Sequence, residues 1–390
     1  MPGPAETTLL AVRLRPRLAA PAITRAWQDG EAVLPLDPAA PAAETDRLLA
    51  RLRPTELLDE GGRRPLEGGV PVPAGTAAVV ATSGTTGEAR GVELTRDGLD
   101  AMGHGVSEVL GVTPDDRWLA CLPFHHVAGL AILARAMVTG NPVTVHDGFD
   151  LDAVARSARD DGTTIVSLVP TTLHRMLEAG APIEEFRRIV VGGAPTPSAV
   201  RARADARGAR VVETYGLSET WGGCVLDGRP IRGLDVRLVK DDAEVLLRGP
   251  MVTRGYRLAP DDTAAAFADD GWFRTGDIGE IGDGTLTIVD RKKEMIKSGG
   301  VNVSPTEVEH VLAEHPAIRD VCVGGVADDE WGERVVAYVV TADHLAPLGL
   351  EELRSFARDR LAAPKLPREL RFVESIPRSP GGKILRRELR

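Results

Sequence analysis

The chain has 390 residues, a length that suggests roughly two or three domains. It is 43% hydrophobic and 27% charged, which excludes disorder, collagen and coiled coil as descriptions of the whole. Forty-seven basic side chains against 57 acidic ones leave a net charge of −10, so no basic surface is offered to nucleic acid.

Cys121, Cys224 and Cys322 form neither a CxxC pair nor a disulfide framework, which points to a reducing compartment. The start of the chain, with Glu6 and no basic stretch, reads poorly as a signal peptide. The longest apolar run, Val127 to Val138, is interrupted by Arg135 and is too short to span a bilayer. A soluble cytoplasmic protein with no membrane partner is the expectation. Lysine is rare, 6 against 41 arginines, and only Lys240 precedes residue 290. Each of Lys292, Lys293, Lys297, Lys365 and Lys383 is therefore a mild pointer to a site wanting a compact, mobile ammonium. A different surface usage in the last hundred residues explains the bias equally well.

Residues 1–70 are rich in Ala, Pro and Arg and show only weak helical pattern around Pro41–Arg53. From Thr76 the text becomes regular. Strands are predicted at Thr76–Thr82, Arg117–Leu122, Asn141–Val145, Thr164–Val169, Arg188–Val191 and Arg210–Thr214. Helices are predicted at Thr95–Leu110, Val127–Val138, Asp152–Arg159, Thr171–Ala179 and Pro197–Ala206. The alternation argues for βαβ units and parallel sheets. After Glu219 come short β-type runs, Asp235–Val239, Glu244–Arg248 and Gly284–Val289, with almost no helix. Beyond Asp290, Ser304-Pro-Thr-Glu307 is a capping box with Pro at the first helical position. Strands at Val321–Val326 and Arg334–Thr341 and a helix at Leu350–Leu361 follow. The fold class is α/β: a large domain over 1–290 with βαβ-type sheets and a β-rich part, then a small mobile α+β domain over 291–390.

Several clusters suit nucleotide chemistry. Thr82-Ser-Gly-Thr-Thr-Gly87 follows a buried strand, and its small residues admit a phosphate chain to backbone N–H groups and hydroxyls; it lacks the Walker spacing. Tyr215-Gly-Leu-Ser-Glu-Thr220 ends another strand, where an open α/β sheet places its ligand. There Tyr215 could stack on a base and Glu219 could hold a hard cation. Val190-Val-Gly-Gly-Ala-Pro195 runs into glycines that suit a flat ring. Asp277, in Trp272-Phe-Arg-Thr-Gly-Asp277, could accept the hydroxyls of a ribose, with Arg291 donating. Lys383 lies on a Pro/Gly-rich loop. Each cluster alone also reads as an ordinary turn or solvated tail.

Taken in order, these motifs resemble the acyl-adenylate-forming superfamily of acyl-CoA ligases, peptide-synthetase adenylation domains and firefly-type luciferases. The resemblance runs from about Thr76 to the C-terminus. It includes the Ser/Thr/Gly loop, Leu122-Pro-Phe-His-His-Val-Ala-Gly129, YGLSET, GWFRTGD, DRKKEMIKSGG and the PxxxGGK ending. It implies an AMP-forming acid–thiol ligase using ATP, Mg2+ and coenzyme A. Thr82, Ser83, Gly84, Thr85, Thr86 and Gly87 would hold the β- and γ-phosphates. Gly192, Gly193, Ala194 and Tyr215 would frame adenine, Gly216 would belong to the same cofactor site, Ser218 would sit near the α-phosphate, and Glu219 would serve magnesium. Asp277 and Arg291 would hold the ribose, and His126 would line the acyl pocket. Lys383 would bridge the attacking carboxylate and the α-phosphate. Between steps the small domain would rotate about Lys293, withdrawing Lys383 and presenting Gly299 and Gly300 to the thiol.

Within the superfamily, LPFHHVAGL, Ser167–Leu177 and Tyr215–Gly233 resemble the compact actinobacterial o-succinylbenzoate–CoA ligases of menaquinone biosynthesis. A ligase for another aryl or medium-chain acid, and a weak nucleotide-binding or carrier-loading relative, are the alternatives. The resemblance leaves a homodimer open. Three departures stand out: Ala89-Arg90-Gly91 replaces the usual Pro-Lys-Gly, Ala128 stands where that ligase often has Ser, and the phosphate loop starts early, as if the N-terminal subdomain were reduced. Arg135 and Arg175 are candidates for the substrate's second carboxylate, with surface roles expected for both. A metal held by the adjacent His125 and His126 is not expected without further ligands.

Overall fold

The computed structural model describes residues 5–83, 89–342, 348–378 and 384–389. The chain forms two compact units, Met1–Val236 with Leu246–Arg274, and Arg237–Val245 with Thr275–Arg390.

The first unit holds two seven-stranded sheets. One is ordered Val143–Val145, Trp118–Ala120, Ile165–Leu168, Arg188–Val191, Val211–Leu217, Gly222–Leu226 and Arg229–Pro230. Its first five strands run parallel and its last two antiparallel. Strands of a parallel sheet are covered on both faces, so they read as apolar runs without alternation, and Ile165–Leu168 is buried at every residue. The helices Leu151–Arg159, Pro170–Glu178 and Ser198–Ala206 supply Val154, Leu173, Met176 and Val200 to the core beneath it. Elements expected from Thr95 to Leu217 are all present, with ends shifted by a few residues, and the last strand runs on to Leu217.

The second sheet corrects the reading of the N-terminal region. Leu9–Val12 and Ala32–Pro35 are short, fully buried strands, and they lie parallel between Glu56–Asp59 and Thr76–Ser83. Helix Pro16–Gln28 packs on them, and its Trp27 Nε1 donates to the Ala77 carbonyl at 2.9 Å. Burying a side chain such as Leu9 or Leu34 contributes about 2 kcal/mol, so this Ala- and Pro-rich text carries a real core.

Helix Arg96–Leu110 begins at Thr95, whose hydroxyl accepts from Gly98 N at 3.0 Å, and ends at Gly111. It packs against helix Val127–Thr139. Arg135, on the second of these helices, was expected at the surface. It is 3% exposed, with Nε 3.5 Å from Met102 Sδ and its guanidinium 5.8 Å from the Trp118 ring centre. No carboxylate pairs with it among the described residues, and burial pulls its pKa down to about 10. Arg175 is exposed as expected, beside the Phe149 ring.

In the second unit, Phe273–Gly282 and Thr285–Arg291 form a hairpin in register from Asp277↔Arg291 to Gly282↔Thr285. A five-stranded sheet follows, ordered Val301–Val303, Ile296–Ser298, Gly332–Thr341 and Ile318–Asp328, with Glu369–Phe372 also paired to Gly332–Thr341. Helices Pro305–Leu312 and Leu350–Ala357 cover it through Val308, Leu312, Leu353 and Ala357. Of the expected capping box the N-cap half is present, Ser304 Oγ accepting from Glu307 N at 3.1 Å, while the Glu307 carboxylate is drawn off to Lys365 at 2.6 Å. The units divide at 274/275, ahead of the 290/291 boundary expected from sequence. The reason is local: Asp290, at the hairpin's end, accepts from Ser304 Oγ at 2.7 Å and Thr306 N at 3.0 Å, and Lys292 pairs with Asp242 and Glu244 at 2.6 and 3.0 Å.

Candidate active site

In the first unit, the loops after the parallel strands converge because their strands are neighbours. Gly192–Ala194 follow Arg188–Val191, and Tyr215–Glu219 end the adjacent strand. Strand Trp118–Ala120 stands where the chain order reverses in the sheet, a place where open α/β sheets leave a crevice, and His126 follows it.

Gly216 is required: a Cβ there would lie 1.8 Å from the Gly222 carbonyl oxygen. The chain then turns through Ser218–Thr220, which is held by Leu217 N donating to Thr220 Oγ1 at 2.9 Å. Glu219 is fixed twice. Its carbonyl accepts from Thr253 N at 2.6 Å, and its Oε1 accepts from the Tyr256 hydroxyl at 2.8 Å. Burial, reinforced by the Glu219 charge, holds the Tyr256 phenol well above its ordinary pKa, so it remains a donor.

Sequence reading missed Tyr256. The strand Gly255–Tyr256 pairs with Ala89–Thr95, so its ring meets Arg90, whose guanidinium lies 5.4 Å from the ring centre. Arg90 also pairs with Asp262 at 3.0 Å. The arginine that replaces the family's usual lysine is thus already partnered. Gly84, Thr85, Thr86 and Gly87 lie outside the described residues, as does the Ser83 side chain. Their flanks are placed: Thr82 is opposite Arg90 and Ser83 opposite Ala89 in antiparallel pairing. The one available signal for Tyr256 was scarcity, since the chain has only three tyrosines.

The rings of the two histidines meet at a tilt of 56°, centres 4.4 Å apart. His125 Nε2 lies 4.0 Å from Asp37. Burial lowers both imidazole pKa values, and His125 lowers that of His126 further. Both rings are therefore neutral at pH 7. Among the described residues no group of three or more His, Cys, Asp or Glu is placed to hold a metal. The three cysteines are free and buried, with thiol pKa values pushed up to about 12 by burial. Arg135 lies nine residues along the helix from His126, about 13 Å by helical rise, and sits against Trp118, at the start of its strand. It is not placed to meet a substrate at His126.

In the second unit, hairpin register brings together the pair expected at the ribose. Arg291 Nε lies 2.6 Å from Asp277 Oδ1, with Asp277 2% exposed. Lys293 is exposed in the turn Lys292–Glu294. Gly299 has φ +58°, and a Cβ there would meet the Trp331 ring at 2.9 Å; its N–H donates to the Trp331 carbonyl at 2.9 Å. Gly300 follows, exposed. Lys383 lies outside the described residues. Of the other late lysines, Lys292 and Lys365 are tied into ion pairs, Lys365 with Glu307 at 2.6 Å, so their rarity marks surface pairing. Among the described residues no helix is long and apolar enough to cross a membrane.

Residues 7–257 match the AMP-binding enzyme family and residues 307–383 its C-terminal domain, so the likeness begins well before Thr76. The chain is 38% identical over 368 residues to a probable 2-succinylbenzoate–CoA ligase of Mycobacterium tuberculosis, covering 90% of this chain and 91% of that one. It is 34% identical over 336 residues to the 2-succinylbenzoate–CoA ligase of Bacillus anthracis, covering 80% and 69%. The o-succinylbenzoate CoA synthetase of Bacillus subtilis, solved with its acyl-adenylate intermediate, superposes with TM-score 0.85 at 28% identity, covering 98% of this chain and 88% of that one. ATP-bound MatB from Rhodopseudomonas palustris superposes with TM-score 0.88 at 25% identity, covering 100% and 89%. The chain belongs to the AMP-binding enzyme family, the acyl-adenylate-forming superfamily to which its motifs point.

Proposed function

We propose that this enzyme is an AMP-forming o-succinylbenzoate–CoA ligase that serves menaquinone biosynthesis. It joins the acid to ATP as an acyl-adenylate with release of pyrophosphate, then transfers the acyl group to the thiol of coenzyme A with release of AMP. The observation that carries the adenylation chemistry is the Glu219 carboxylate, held by Tyr256 beside the strands that flank the 84–88 segment. The acid is the one named for relatives that align over 80–90% of the chain.

The donor set fits magnesium. Glu219 keeps Oε2 without a hydrogen-bond partner among the described residues, a hard oxygen of the kind that this cation takes together with substrate phosphates. Bound there, the ion would neutralise phosphate charge. The rest falls to the chain. Thr82–Gly87 hold the phosphates by N–H and hydroxyl groups. Gly192–Ala194, Tyr215 and Gly216 frame the base, Ser218 stands by the α-phosphate, and Asp277 with Arg291 takes the ribose. Step one brings two anions together, and the Lys383 ammonium offsets their repulsion and the charge that develops as the bond forms. A point charge on a flexible stem suits contact with two oxygens at once. Neutral His126 lines the acyl side without adding charge. Step two needs no enzyme nucleophile, in keeping with three buried, high-pKa thiols; Gly299 and Gly300 pass the pantetheine, with Lys293 as hinge.

Pyrophosphate release from the purified protein with ATP and magnesium tests the reading. Turnover with o-succinylbenzoate that yields a CoA thioester supports it, and turnover confined to another acid moves the enzyme to a different substrate.

A further inference from the structure

Arg386 lies three residues beyond Lys383, in the turn Arg386–Glu388. Its side chain is 11% exposed, and its donors are spread over three elements of the second unit. Nη2 donates to both oxygens of Glu309 at 2.8 and 2.7 Å, Nη1 to Glu294 Oε2 at 2.6 Å, and Nε to the Val323 carbonyl at 3.1 Å. Glu309 is on helix Pro305–Leu312, Val323 on strand Ile318–Asp328, and Glu294 immediately follows Lys293. The other flank of the 379–383 segment is anchored too. Arg378 donates to both oxygens of Asp320 at 2.8 and 3.0 Å. Arg378 also bridges antiparallel to Ile384, and Leu385 N donates to the Pro377 carbonyl at 2.9 Å. Ile384 packs against the cluster of Cys322, Val336, Tyr338, Val340 and Ile376.

A buried guanidinium with two carboxylates is a costly way to gain stability, because desolvation consumes most of the Coulomb gain and apolar packing does as well. The cost is visible at Glu309. Burial lifts its pKa to about 6 against the pull of Arg386 and of Val323 N–H, while Asp290 adds to the rise; the Cys322 thiol lies against the same carboxylate. An arginine fork is the side chain that can join two carboxylates and a carbonyl in one fixed geometry.

We infer that Arg386 is a positioning residue for adenylation: it ties the chain just beyond Lys383 to the turn that carries Lys293, and so fixes the register in which the lysine is presented. The inference rests on the roles given above to Lys383 and Lys293. Arg386→Lys keeps a positive charge but cannot reach both carboxylates and the carbonyl together.

The two half-reactions of the full-length protein are measured apart: acyl-adenylate formation from acid and ATP, and thioester formation from supplied acyl-adenylate and coenzyme A. Arg386→Lys is expected to slow adenylate formation about tenfold with KM for ATP and acid within about twofold, and to leave thioester formation within about twofold. Glu294→Gln, a milder change, is expected to show the same split. In a Lys383→Ala background, adding Arg386→Lys is expected to change adenylation by less than about twofold, since its route of action is gone. Equal loss in both half-reactions, a further tenfold fall in that background, or no effect of either variant overturns the inference. Failure of the wild type to adenylate o-succinylbenzoate is a separate result; the same split is then read with whichever acid the enzyme activates.

Discussion

The Tyr256 hydroxyl donates to Glu219 Oε1 at 2.8 Å. The two residues come from different sheets of the first unit, Tyr256 from an edge strand beside Arg90 and Glu219 from the turn after Val211–Leu217. A hydrogen bond to a charged carboxylate contributes about 1.5–3 kcal/mol. Tyr256→Phe keeps the ring against Arg90 and removes that bond. Its pyrophosphate release is expected to fall about ten- to a hundredfold, with a higher magnesium concentration needed for half-maximal rate. An unchanged magnesium dependence would show that Glu219 is placed without Tyr256.

Asp277 and Arg291 sit opposite each other in the hairpin, 2.6 Å apart. Asp277→Ala removes the two carboxylate oxygens proposed to take the ribose and leaves Arg291, 35% exposed, free to turn to solvent. KM for ATP is expected to rise by about tenfold or more while kcat changes less, the pattern of lost uniform binding. Steady-state kinetics with ATP varied at saturating acid measures it, and a fall in kcat alone would assign the pair to the reacting centre instead.

These two pairs show what was legible in the sequence. Asp277, Arg291, Glu219 and Tyr215 stood out as candidates because each sits in a compact motif, and motif order pointed to the family. The parallel strands were readable as apolar runs bounded by glycines. Leu9–Val12 and Ala32–Pro35 were not, because four apolar residues among alanines and prolines carry no period. Tyr256 lies 37 residues from its partner, and only the packing of one sheet's edge against the turn that ends a strand of the other joins them. Arg135 was misread because a helix apolar all round gives no face from which to judge its one charge. Arg386 was not singled out, since neither of its acids is nearby in sequence.

Asp116 is a buried clamp of the first unit, 2% exposed. Arg187 donates to both of its oxygens at 2.8 and 2.6 Å, Thr164 Oγ1 at 2.7 Å and Thr113 N at 2.8 Å. Burial opposes ionisation, but Arg187, Thr164 and Thr113 together overcome it and hold the carboxyl down to about 2. A lowered folded-state pKa adds stability that is complete above about pH 4 and fades as pH falls toward 2. Asp116→Asn is expected to cost on the order of 3 kcal/mol at pH 7 and to flatten stability across that acid window. Denaturant unfolding at pH 7, 4 and 3 measures both effects, and a parallel fall of wild type and variant would contradict the clamp.

Arg135 has no carboxylate partner among the described residues and touches Met102 and Trp118. Replacing a poorly compensated buried charge by an apolar side chain of similar length is expected to stabilise. Arg135→Met is expected to gain about 1 kcal/mol, roughly 2–4 °C in Tm, with KM for the acid unchanged. A loss of stability, or a raised KM, would give the guanidinium a role that its surroundings do not indicate.

Lys383-dependent adenylation of o-succinylbenzoate is proposed to precede thioester formation. Pyrophosphate release with ATP and magnesium tests it most directly, with o-succinylbenzoate run beside benzoate, octanoate and the amino acids, with and without coenzyme A. Turnover with o-succinylbenzoate, a CoA thioester as product, and loss of at least about a hundredfold in Lys383→Ala are expected. Equal rates for wild type and Lys383→Ala, or release with every acid except o-succinylbenzoate, would contradict it.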